Sequence, residues 1–168
     1  MSDHKDLSAM DARVKIKEIA KGEIALFCTF ADDGKMMMRP MATLDATDDG
    51  SLWFFSRDDS DKNFAFGANP HVEVLYAAHA RSAYLAVDGD AIVSRDRAAI
   101  DRLWSPIAKT WFPEGKEDPH LVVVQVIPSE GHYWDTKNGK MISLVKIALA
   151  AVTGSADDDD GIEGALRP

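Results

Sequence analysis

A chain of 168 residues, 46% of them hydrophobic, is long enough to form one domain around a buried core. Its 28 acidic and 19 basic residues leave a formal charge of -9, so its overall field opposes nucleic acid and anionic lipid, and any bound anion needs a local cluster of cations. Cys28 is the one cysteine, which excludes an internal disulfide and a cysteine-rich zinc site and suits a small buried residue on a strand.

No apolar run approaches the ~20 residues needed to span a bilayer. The start, Met1-Ser2-Asp3-His4-Lys5-Asp6, lacks the apolar stretch of a signal peptide, so a cytoplasmic protein is expected. From Leu7 to Ile19, apolar Met10, Val14, Ile16 and Ile19 recur among charges at near-helical spacing, with Ser8 or Asp6 as cap and Gly22 beyond the end. That pattern predicts an amphipathic covering helix. Ile24 to Phe30 alternates as a strand, Asp32-Asp33-Gly34 is a hairpin turn, and Lys35 to Leu44 is the return strand. Within it, Met36-Met37-Met38 reads as two core residues and one change of face. Asp48-Asp49-Gly50 then turns into the aromatic strand Leu52 to Ser56. Asp58 or Ser60 can cap a short helix ending near Asn69, because Pro70 disfavours helix at the residue before it.

A strand from His71 to Ala77 is followed by a longer one from Ala83 to Ser94, where Asp88-Gly89-Asp90 signals a bulge or bend. Ser94 or Asp96 caps a helix over Arg97 to Trp104, and Ser105 to Pro119 reads as an irregular loop with exposed aromatic residues around Trp111-Phe112-Pro113. His120 to Ile127 and Gly131 to Trp134 are two further strands. Met141 to Val152 fits a terminal helix stopped by Gly154. One domain over residues 1–154 is expected, with 155–168 an acidic, disordered tail. About six strands joined mostly by short turns, with two inserted helices, predict a mainly β fold with peripheral helices: a six-stranded, mostly antiparallel barrel.

The chemistry concentrates between Ser51 and Pro70. Ser56 at a strand end, then Ser60 and Lys62 at a helix start, make an anion cradle of hydroxyls, a cation and helical N–H groups. The five histidines show no metal-ligand spacing, no GxSxG elbow marks a serine nucleophile, and the Asp157–Asp160 run has no EF-hand spacing, so no metal site is expected. No residue stands out as a catalytic acid or base.

The succession Met38-Arg39-Pro40-Met41-Ala42, Leu52-Trp53-Phe54-Phe55-Ser56, Ser60-Asp61-Lys62, Asn69-Pro70 and Tyr84-Leu85-Ala86-Val87-Asp88-Gly89 resembles the pyridoxamine 5'-phosphate oxidase-like FMN-binding split barrels. Trp111-Phe112-Pro113-Glu114-Gly115 and Tyr133-Trp134-Asp135 are similar to their bacterial general stress protein branch. The resemblance spans roughly Leu7 to Trp134 and implies a homodimeric split barrel with FMN at the subunit interface, FAD or a deazaflavin being alternatives. It implies a cofactor site drawn from Arg39, Pro40, Met41, Phe55, Ser56, Ser60, Asp61, Lys62, Tyr84, Trp111 and Trp134. In it Lys62 meets the phosphate and the strand of Arg39 lies beside the flavin; Ser60 adds a hydroxyl to that anion site, and Trp111 and Trp134 either wall the ring, from the second subunit in some arrangements, or are core or interface residues. Arg39 read by itself could instead pair with Asp32, Asp33 or Asp45, and Tyr84 by itself is a cross-strand packing residue.

Two departures bear on function. Asp61 stands where the oxidases usually carry a basic residue, which removes one phosphate contact, and the chain lacks their C-terminal basic, histidine-containing segment. Vitamin B6 oxidation is therefore disfavoured. What the resemblance implies is a flavin-dependent oxidoreductase acting on a small substrate, with a nicotinamide donor as one partner. The alternatives are a flavin-binding or sensing protein without turnover, and a cofactor-free dimeric interaction module.

Overall fold

The alternation of side chains along each strand decides how the sheet curls and what it encloses. The computed structural model describes residues 3–31, 33–59, 69–136 and 161–168. In chain order these form β1 (Asp3–His4), α1 (Ala9–Ala20), β2 (Ile24–Phe30), β3 (Met36–Ala42), β4 (Asp45–Ala46), β5 (Leu52–Arg57), β6 (His71–Ala78), β7 (Ala83–Ser94), α2 (Arg97–Leu103), β8 (Leu121–Thr136) and β9 (Gly161–Leu166). Two 3-10 turns, Pro106–Thr110 and Gly115–Glu117, lie between α2 and β8. The short helix expected before Asn69 and the helix expected over Met141 to Val152 fall outside the described residues.

The strands follow the path β1-β9-β8-β7-β6-β2-β3, antiparallel throughout except for the β1–β9 pair. Strand β3 pairs with β2, and its continuation through Thr43 and Leu44 becomes β4, which pairs with β5; β5 in turn pairs with the first half of β8. The sheet thus curls around one core. The second half of β8 pairs with β9 on the edge that β5 has left.

Inside the curl, Phe27 and Phe54 meet edge to face with centroids 5.2 Å apart, packed with Leu52, Val72, Val74, Leu85, Val87, Val124 and Val126. Tyr76 and Thr43 are both buried and share a hydrogen bond at 2.9 Å, and the core's other phenol, Tyr133, donates to the Lys5 carbonyl oxygen at 2.9 Å, so both are satisfied. Helix α1 lays Ala12, Ile16, Ile19 and Ala20 on the same core. Ser8 caps it: its Oγ accepts from the Asp11 N–H and donates to the Asp11 carboxylate. A second, smaller cluster forms on the other face of β5 and β8, where Trp53, Phe55, Leu121 and Val123 meet Ala99, Ile100, Leu103, Trp104 and Phe112.

Several sequence expectations are corrected here. The described residues hold nine strands rather than six, because β1, β4 and β9 add to the main set. The two strands expected at His120 to Ile127 and Gly131 to Trp134 are one, β8. The register shifts by one residue opposite Asp88 and Gly89, leaving Ser129 as the extra residue and reversing the phase of the buried positions between Val126 and Tyr133. That reversal imitates a strand end. Gly89 is required there, since a Cβ would lie 2.4 Å from the Ile127 carbonyl oxygen. Met36, Met37 and Met38 are all exposed, at 44%, 37% and 55%, because they form the end of β3 beyond the packed interior. Phe112, expected on an exposed loop, is buried in the second cluster. Residues 161–166, expected in a disordered tail, form β9.

Candidate functional site

The two ends of the curled sheet differ. Helix α1 covers one end and is tied there by Lys17 to Asp48, Lys15 to Asp135 and Arg81 to Glu18. At the opposite end, β5 and β7 finish, β8 begins, and the inward-facing positions turn polar. On β3, Arg39 is the cross-strand neighbour of core residue Phe27, and its guanidinium donates to the Thr29 hydroxyl at 3.1 Å, towards this open end. On β5, Ser56 lies two residues beyond core residue Phe54 and pairs with Val122. Because side chains repeat their face every second residue, Ser56, Asp58, Val122, His120 and Arg95 carry the inner face past the core and out to the mouth.

Arg39 is half-buried, and no carboxylate among the described residues lies within ion-pair distance of it. Asp45, one of the partners its sequence context offers, is taken by Lys21 and Arg102. Burial lowers the pKa of the Arg39 guanidinium from its ordinary value. Among the described residues this cation is poorly compensated, which is the state a bound anion relieves.

Beside it the strand ends are tied by a charged cluster. Arg57 holds Asp59 through both carboxylate oxygens at 3.0 and 3.1 Å and reaches buried Asp118 at 3.4 Å. Asp58 accepts from Arg95, and its other oxygen meets His120 Nδ1 at 2.8 Å. The Asp59 carboxyl is held below its usual range, first by the hydrogen bond from Arg57. The Asp58 N–H to His120 carbonyl bond, 2.9 Å, extends the β5–β8 ladder to this point. Asp58, Val93, Ser94, Arg95 and Val122 line an open depression. Asp58, Asp59 and His120 also bring ligand-type atoms within 4.8 Å of one another, a tertiary juxtaposition that sequence spacing does not show, but both carboxylates are already occupied by guanidinium groups.

The expected site residues separate into three groups. Arg39 and Ser56 share the inner face at the mouth; Met41 faces inward too, but packs on the core. Pro40 and Tyr84 lie on the outer face, and Tyr84 stands opposite Trp134 in the β7–β8 register, both exposed, with His132 tilted against Trp134 at 4.5 Å. Tyr84 thus has the cross-strand neighbour its own pattern suggests. Phe55 and Trp111 go elsewhere. Phe55 packs with Trp104 and Phe112 in the second cluster, and Trp111 is 58% exposed beside that cluster. Ser60, Asp61 and Lys62 lie outside the described residues, immediately after Asp59 in the chain. The residues that sequence reading missed are Asp58, Arg95 and His120, which lie far apart in the chain and are joined only by strand register.

A sequence model of the family described as pyridoxamine 5'-phosphate oxidase like matches residues 11–158. The chain belongs to that family. Protein bli-3 of Neurospora crassa is 25% identical over 131 residues, which cover 72% of this chain and 62% of that protein. Among solved structures, a general stress protein 26 assigned in Jannaschia sp. CCS1 aligns with a TM-score of 0.78 at 24% identity, covering 96% of this chain and all of that one. The general stress FMN/FAD binding protein of Xanthomonas citri aligns at a TM-score of 0.63 and 23% identity over 74% of this chain and 87% of that chain. These structures share the fold. No helix among the described residues is long and apolar enough to cross a membrane.

Proposed function

We propose that this protein binds FMN at the open end of its barrel and uses it as a flavin-dependent oxidoreductase on a small substrate. The observation that carries the reading is Arg39: a half-buried guanidinium with no carboxylate partner among the described residues, on the same inner face as Ser56 in a chain of net charge -9. That donor set fits an anionic phosphate ester, and Ser60 and Lys62 follow next in the chain. The Xanthomonas relative, described as an FMN/FAD binding protein, supports a flavin, with FAD as the second choice.

A bound flavin would supply hydride chemistry at its ring; the protein's own groups bind, orient and exclude water. Arg39, Ser56, Ser60 and Lys62 would hold the phosphate end. Within one chain the exposed Tyr84–Trp134 pair lies on the outer face at the far end of β7 from the mouth, so its flat apolar surface would meet a ring only from a second copy of the chain. The outer face also exposes Ile24, Leu26 and Met38, at 66%, 48% and 55%, and a second copy of the chain is the partner we propose to cover it.

The test compares FMN with riboflavin, which lacks the phosphate. Lys62→Ala and Arg39→Ala should each weaken FMN by about ten- to a hundredfold and riboflavin far less, the loss of one charge-assisted hydrogen bond. Equal losses for both flavins in either variant would make that residue a support of the fold rather than a phosphate ligand. If saturating FMN neither perturbs the flavin absorption nor gives calorimetric heat, the cofactor reading fails and a cofactor-free dimeric module takes its place. Flavin binding without turnover of a nicotinamide donor would favour a flavin-binding or sensing role.

A further inference from the structure

We infer that His120 is an anion-recognition group of the barrel mouth that takes up a proton as a phosphate dianion binds, which makes flavin-phosphate binding proton-coupled. This rests on the flavin-phosphate reading above and adds to it a residue and a linkage.

The position of His120 follows from register. Val122 pairs with Ser56, and His120 lies two residues before Val122 on the same face, about 7 Å along the strand. The ring is reachable, with 44% of its side chain exposed. It is also oriented: with Nδ1–H donating to Asp58 at 2.8 Å, the lone pair of Nε2 remains available to take a proton from solvent, and no other bond changes.

The charges around the ring show why it responds. Asp58 and Asp59 face it from the end of β5, at 2.8 and 3.7 Å, and Arg95 reaches Asp58 from the end of β7. Behind these, Arg57 holds Asp59 and Asp118. Two guanidiniums therefore stand against three carboxylates, and the cluster carries one excess negative charge while His120 is neutral. An incoming dianion worsens that balance. The guanidiniums are already protonated and have nothing further to offer, whereas an imidazole changes its charge between about pH 5 and 8. A proton on Nε2 is the least disruptive response available, and it gives the charged cluster a third cation, beside Arg57 and Arg95, only when an anion is present.

Calorimetry of the full chain with FMN at pH 7.5, in two phosphate-free buffers of unlike ionisation enthalpy, tests this. At that pH a phosphate monoester is already mostly dianionic, so buffer-dependent heat counts protons taken up by the protein. The expected result is uptake of about 0.3 proton or more per FMN. None is expected with riboflavin. In His120→Gln the uptake disappears and FMN affinity falls about three- to tenfold. Buffer-independent heat with FMN, or uptake that persists in His120→Gln, overturns the inference while the flavin-phosphate reading stands. No heat from FMN in either buffer overturns both. A second measurement needs no variant: the His120 ring titration followed by NMR, with and without FMN, should move to higher pH when FMN is bound, and an unmoved titration overturns the inference if the variant fails to fold.

Discussion

The two ends of this barrel are closed by opposite means. At one end α1 supplies Ala12, Ile16, Ile19 and Ala20, all at 1% exposure or less, and keeps its charges on the rim, where Lys17 meets Asp48 and Arg81 meets Glu18. At the other end the inner face continues past Phe27 and Phe54 into Arg39, Ser56, Asp58, Arg95 and His120, with no apolar plug among the described residues. One end is built for stability. The other leaves the Arg39 guanidinium without a carboxylate among the described residues and gives up burial, the arrangement expected where a polar ligand completes the packing.

The largest effect that separates the two lies within one strand. Phe54 and Ser56 are two residues apart on the same face of β5, but only Phe54 belongs to the core. Phe54→Ala should lower unfolding stability by about 3 to 5 kcal/mol, through lost transfer free energy and the cavity left against Phe27. Ser56→Ala should change it by less than ~0.5 kcal/mol and act on FMN affinity instead. Chemical denaturation of both variants, with flavin titrations alongside, reads the contrast. A stability loss of several kcal/mol in Ser56→Ala would mean that the mouth is part of the core.

How much of this was legible depended on whether the information was local. Strands β2 and β7 were readable to their observed ends because strand-favouring apolar residues run through both, and Gly22 and Asp33-Gly34 bound β2 on either side. The cap of α1 was readable as Ser8 or Asp6, since both stand just ahead of the apolar pattern, and the bonds between Ser8 and Asp11 settle it on Ser8. Strand β8 was not readable as one element, since the extra residue at Ser129 inverts its phase. Phe55 was named as a cofactor neighbour by the family resemblance alone; the face it packs on is taken up by Trp104 and Phe112, far along the chain. Arg39 was legible as a cation of interest, but that no carboxylate among the described residues pairs with it was a fact of packing. The Asp58–His120 contact spans 62 positions and exists only because β5 and β8 are neighbours in this register.

A smaller effect tests the covered side. Tyr76 and Thr43 are a buried hydroxyl pair at 2.9 Å, and burial pushes the Tyr76 phenol far above its usual pKa. Tyr76→Phe leaves the Thr43 hydroxyl without its partner and should cost about 1 to 2 kcal/mol. The double change Tyr76→Phe with Thr43→Val should recover part of that loss, because replacing both partners removes the unsatisfied group. Neither variant should alter FMN affinity. A weakened FMN complex in Tyr76→Phe would show that the core transmits strain to the mouth and that the two ends are not independent.

The smallest effect is electrostatic and should appear at both ends alike. Asp48 on the α1 rim is held below the usual carboxylate range first by its hydrogen bond from Lys17, and Asp59 at the mouth first by that from Arg57. A carboxyl with a lowered folded-state pKa contributes stability above its unfolded value, near 3.9, and loses it as the pH falls through the folded value. Acid should therefore leave both contacts intact above about pH 5 and release them progressively below about pH 4. Both groups are exposed, so the effect is small and salt weakens it. Asp48→Asn and Asp59→Asn should each flatten the acid limb of a stability-against-pH curve slightly. Only Asp59→Asn should also change FMN affinity at neutral pH, because it removes one of the carboxylate partners of Arg57 and one carboxylate from beside His120. If Asp48→Asn moved FMN affinity equally, the charge of the whole protein rather than the local cluster would govern binding, and the distinction between the two ends would not hold for electrostatics.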